Sequence, residues 1–226
     1  MALRLERVTG VPARFWNARE AIYREKLAEI QDGQKLEAEL AWLENIPTKE
    51  LVAREAIVRS PDKTETLKEV LRFFGVNEVG AWRDVWLNRD VAARRSTCFD
   101  SLPEATATWL RLGELAAHGV ATGPYSKARF LEALKSIRTL SMRPAYEFGP
   151  KMRKLCAEAG VALVFVKGLK GVPWYGASWW SQKTPVIELS LRGKKDDQFW
   201  FSFFHEAGHI LHDSKKARFI NDGEDG

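Results

Sequence analysis

Apolar residues recur at helical spacing through the first two thirds of the chain and give way to short continuous apolar runs only in the last third. Residues 2–9 set Leu3, Leu5 and Val8 against Arg4, Glu6 and Arg7, which predicts a short amphipathic helix closed by Thr9-Gly10. Pro12 suits the first turn of a longer helix to about Asp32, with Phe15, Ala18, Ile22, Leu27 and Ile30 apolar. Gly33 is expected to break that helix before the pattern resumes over 34–44. Pro47 interrupts, and Thr48 can cap a further short helix to about Arg54. The middle of the chain repeats this grammar. Ser60-Pro61-Asp62 opens a helix with Leu67, Val70, Leu71 and Phe74 apolar, Asn77 is placed to cap another bearing Trp82 and Trp86, and Pro103 opens one to about His118. Ser126 is placed to cap residues 127–140, and Pro144 begins a helix through Ala159. The tryptophans sit at helical spacing and are expected to be core.

From residue 160 the period changes. Val161 to Val166 is β-branched and apolar, a buried strand. Trp174 to Ser181 reads as an irregular second strand and Val186 to Leu191 as a third. Asp196 or Asp197 then caps a phenylalanine-rich helix. The expected fold class is α+β, mainly α, with a helical N-terminal and middle region followed by a small three-stranded sheet and a last helix.

Composition narrows the function classes. Of 226 residues, 45% are hydrophobic, and nine Trp and twelve Phe supply core material, so the chain folds. No apolar run approaches a membrane span, and MALRLERVTG carries charges where a signal peptide needs its apolar centre. The net charge of +5 is spread out and forms no phosphate-binding stripe. Cys98 and Cys156 make no metal or redox spacing; two core thiols are expected, with a disulfide as the alternative. The cytoplasm is the expected compartment.

The last helix changes the picture most. His205-Glu206-Ala207-Gly208-His209 is an H-E-x-x-H pattern. Residues four apart leave a helix on one face, so both imidazoles can reach one metal ion. Glu206 points about 100° round from His205, the direction of a carboxylate that meets the metal's water without ligating the metal. His205 and His209 are therefore candidate zinc ligands and Glu206 the candidate general base. His212 lies about 10.5 Å of helix rise from His205, too far to join the same ion.

Two stretches resemble known families. ALRLERVTGVPARFWNAREAIYRE resembles the closing helices of the helix-turn-helix domain of HigA-type, XRE-family antitoxins, through Arg4-Leu5-Glu6, Gly10, Ala13 and Phe15-Trp16. LCAEAGVALVFVKG, VIELSLRGKKDDQFWFSFFHEAGHIL and the Trp-rich loop between them are similar to the ImmA/IrrE-type metallopeptidase domain over about residues 150–220. The resemblance implies a zincin-like domain of 146–226, incomplete at its C-terminal end, behind a helical region of 31–145 and a helix-turn-helix remnant of 1–30. It implies a zinc-dependent endopeptidase attached to a transcriptional regulator, cleaving a repressor or antitoxin partner by metal-activated water with Glu206 as base. DNA would be bound only through the missing helix-turn-helix; a homodimer is compatible with such regulators. The alternative is a DNA-binding regulator or antitoxin whose peptidase-like domain is a sensor or partner-binding module. The strand over 186–191 is where an extended substrate would pair, unless it is plain core.

This sequence departs from the family at two places, the first being that His212 falls three residues after His209 where relatives carry a histidine four after, and the second the third zinc ligand. A third zinc ligand is expected from a carboxylate on a later helix. Asp222, Glu224 and Asp225 lie in a Gly-rich tail with no helical pattern and are not expected to ligate. The chain is therefore expected to be a fragment that binds Zn2+ weakly or not at all.

Overall fold

The structure, a computed structural model, describes residues 1–87, 103–142, 144–170, 172–191, 196–212 and 219–221. Among these, nine α-helices are α1 (Ala2–Thr9), α2 (Ala13–Glu39), α3 (Thr48–Ala53), α4 (Lys63–Phe74), α5 (Val79–Trp82), α6 (Pro103–His118), α7 (Lys127–Arg138), α8 (Ala145–Glu158) and α9 (Asp196–His212). A 3-10 turn follows α2 over Leu40–Asn45, and α5 runs on as a π-helical turn over Arg83–Leu87. Four strands are β1 (Ala162–Phe165), β2 (Gly176–Ser181), β3 (Thr184–Leu189) and β4 (Phe219–Asn221). The α+β, mainly α reading is borne out. The three expected strands are present, and β4 adds a short fourth at the edge.

The sheet order is β1-β3-β2-β4, with β1 parallel to β3 and the other pairs antiparallel. The expectation that the third strand offers an edge to an extended substrate is therefore corrected. β3 lies between β1 and β2, and Val186, Ile187 and Leu189 are buried. Its backbone groups are spent on two neighbours, which local sequence pattern does not specify.

Alternation along the strands divides the interior in two. Ala162, Val164, Val186, Ala177 and Trp179 face one core together with α4, α5 and α6 residues such as Phe74, Trp82 and Trp109. Leu163, Ile187 and Leu189 face the other, with Phe130 of α7, Met152 of α8 and Phe203 of α9. The sheet is thus a partition between two helical layers, and α9 packs across β2 and β3. The tryptophans of the helical middle, Trp82, Trp86 and Trp109, are core, as expected. Trp82, Trp109 and Trp174 are essentially inaccessible, and Trp42, Phe74, Trp82 and Trp86 stack edge to face or tilted.

Three local expectations are corrected. Thr48 does not cap α3; Pro47 takes the cap position and Thr48 is the first helical residue. Gly33 does not break α2, which runs unbroken through it. A mid-helix glycine costs about 1 kcal/mol against alanine, and the turns beyond it are held down where Leu36 buries and α2 packs on α4. Asn77 does not cap α5. Glu78 takes the cap position, and the Val79 N–H donates to the Glu39 carboxylate 3.1 Å away on α2, a cap supplied from a distant helix. Asp62 and Ser126 do cap, accepting from the N–H groups of Thr64 and Arg129. His118, at the end of α6, is exposed, and His212 is too. Cys156 is a buried free thiol; Cys98 lies outside the described residues.

No residue of α1 is buried, and only Leu36 of α2 is. Leu3, Val8, Phe15, Ile22, Tyr23 and Ile30 are all exposed on this helix pair. No described helix is long and apolar enough to cross a membrane.

Candidate metal centre

α9 carries its chemistry on two sides. Phe203, Ala207 and Ile210 bury against the sheet and helices. His205 and His209, one turn apart, are half-buried, and Phe201, which lies over the His205 ring at 5.8 Å between centroids, is 47% exposed. The histidine face therefore opens to solvent while the opposite face anchors the helix. Lys127 of α7 donates to the Leu211 carbonyl at 2.8 Å, which places a cation at the negative C-terminal end of α9.

The two imidazoles converge. Nε2 of His209 lies 3.0 Å from Nε2 of His205, one ring donating to the other, with ring centroids 4.7 Å apart. Two nitrogens on one tetrahedral zinc stand about 3.3 Å apart when zinc–nitrogen bonds are about 2.0–2.1 Å. The pair thus fits two corners of such a site with a shift of a few tenths of an ångström. Among the described residues no set of three His, Cys, Asp or Glu side chains gathers at one point. Asp222, Glu224 and Asp225 lie outside the described residues.

Glu206 is the buried acid of the motif. It is fully buried against β2. The Ser178 hydroxyl donates to its Oε2 at 2.5 Å, while Oε1 is buried without a hydrogen-bond partner among the described residues. Burial pushes its carboxyl up to about 8, and the Ser178 hydrogen bond opposes that rise. A proton-accepting group poised in that range has the pKa of an effective general base. Gly176 lies directly beneath. A Cβ built there would stand 2.9 Å from Glu206 Cγ and 3.1 Å from Oε1, so glycine is what lets the carboxylate lie down on the strand.

Gly176 and Ser178 had no functional weight in the sequence. The signal was faint: in Gly176-Ala177-Ser178-Trp179-Trp180 the two smallest polar-tolerant positions fall two apart, hence on one strand face. Glu188 stands in an otherwise largely apolar strand. It is a second fully buried carboxylate, on the other side of the sheet, packed so closely on Gly113 of α6 that a methyl group there would collide with it.

No protein-family model, no curated protein and no solved structure matches this chain.

Proposed function

We propose that the chain carries the metal-binding and proton-transfer parts of a zinc-dependent endopeptidase of the ImmA/IrrE type, housed in a cytoplasmic transcriptional regulator. Its substrate would be a repressor or antitoxin partner. The observation that carries this reading is the convergence of the His205 and His209 nitrogens to 3.0 Å on the helix that also presents Glu206.

His205 and His209 would hold the ion, with a further ligand from outside the described residues. When bound, a zinc ion supplies Lewis acidity toward a peptide carbonyl and toward water. Glu206 would take a proton from the attacking water and later hand it to the leaving amine, the two halves of general acid–base catalysis. The low-polarity surroundings of its carboxyl favour the protonated form it needs for the second half.

The exposed apolar side chains of α1 and α2 favour a second reading. In it, this helix pair packs on a DNA-binding bundle and the metal helix serves as a sensor or partner-binding module. Glu206→Gln separates the two. Partner cleavage that survives the substitution rules out the peptidase mechanism; DNA binding with no cleavage to lose supports the second reading.

A further inference from the structure

The contact between β2 and the helix bearing the histidines assigns a role to a residue that carries no motif. β2 shows α9 a face made of Gly176 and Ser178, two positions apart, and Ser178 is itself fully buried. A glutamate side chain has three rotatable bonds, and left to itself would populate several orientations. Here Gly176 clears the floor under Cγ, Leu189 of β3 lies 3.2 Å from that same floor position, and Ser178 Oγ meets Oε2. A hydroxyl both donates and accepts, so it can hold a carboxylate or a carboxylic acid in the same place. We propose that Ser178 is a positioning residue for Glu206: its hydroxyl, on a strand face that Gly176 keeps clear, fixes the orientation of the Glu206 carboxyl on the metal helix. The purpose of that orientation rests on the peptidase reading; the contact does not.

Packing alone offers a competing cause of order, since Glu206 is fully enclosed. The two causes separate on removal of one oxygen atom. Ser178→Ala deletes the hydroxyl and leaves the floor and walls in place.

The test is nuclear magnetic resonance on the whole chain with 13C-labelled glutamate, the Glu206 γ-methylene being assigned by its loss in Glu206→Gln. A fixed side chain gives two separated geminal proton shifts; a rotating one gives nearly coincident shifts. The expected result is wide separation in the wild type, collapse in Ser178→Ala, and recovery in Ser178→Thr, which keeps the hydroxyl. Ser178→Cys keeps the bulk with only a weak donor and must show the same loss as alanine, which guards against a folding defect in any one variant. Wild-type separation in Ser178→Ala and Ser178→Cys overturns the proposal, because packing then suffices. A parallel titration with Co2+ compares wild type and His205→Ala by visible absorption. Equal spectra there would sink the metal reading of the site while the methylene shifts still decide the role of Ser178.

Discussion

Glu206 and Glu188 are both fully buried and lie on opposite faces of one sheet. Glu188 of β3 pairs with Ala177 of β2 and turns to α6, whereas Glu206 of α9 meets the next β2 residue, Ser178. Each carboxylate is admitted by a glycine, Gly113 on one side and Gly176 on the other. Two buried acids are costly in a core this apolar, and their glycines are accordingly sensitive positions.

Gly176→Ala and Gly113→Ala should each destabilise the fold by about 1–3 kcal/mol, the range for overpacking. Gly113→Ala should be the worse, because its methyl would overlap Glu188 more deeply than a methyl at 176 overlaps Glu206. Urea denaturation of the two variants checks the order. Pairing Gly113→Ala with Glu188→Ala should recover part of the loss, since the colliding group is then gone.

Glu206→Gln should leave the fold intact and Co2+ binding by His205 and His209 unchanged. It keeps the shape of the side chain and removes an acid that burial disfavours in its charged form. On the peptidase reading it should lower cleavage of the protein substrate by about 100-fold or more, the scale of a general acid–base contribution. Single-turnover cleavage rates together with thermal unfolding read both outcomes.

Zinc should bind the 226-residue chain no tighter than about micromolar, because among the described residues two imidazoles supply only part of a first shell. His205→Ala and His209→Ala should each remove what binding there is. Dialysis followed by metal analysis tests this, and stoichiometric zinc at nanomolar affinity would show that the third ligand is already present in the chain.

Burial pushes the Cys156 thiol up to about 12 from an ordinary value near 9. The folded state therefore keeps its proton where the unfolded chain has lost it. The resulting stabilisation is complete below about pH 9 and is lost as pH rises toward about 12. Stability measured from pH 8 to pH 11 should fall more steeply for the wild type than for Cys156→Ala. In the native protein at pH 8 this thiol should react with a disulfide reagent only as fast as the core opens.

The elements that sequence made legible are those whose period is local. The spacing of Leu67, Val70, Leu71 and Phe74 places α4, and the run from Val161 to Val166 places β1. The pair His205 and His209 was visible because four residues of helix bring two rings together with no help from the rest of the chain. What sequence did not yield depends on distant partners. The interior position of β3 is set by β1 and β2 on either side of it, and the capping of Val79 comes from Glu39 on another helix. Ser178 belongs to the same class. A serine in a strand has no pattern of its own, and only the packing of α9 on β2 brings a carboxyl to its hydroxyl.

The alternation along β2 also bears on how the hairpin finds its alignment. Ser181 pairs with Thr184 across a turn in which Gln182 adopts φ 55°, and the ladder runs from there to Gly176 opposite Leu189. Sliding β2 by one residue would turn Ala177 and Trp179 toward α9 and send Gly176 and Ser178 to the other core. An indole would then stand where Glu206 needs a hydroxyl and an empty floor, and Glu188 would face a neighbour of the wrong size. A misaligned hairpin could not close against either helical layer, so the two acids act as keys that only the correct alignment admits.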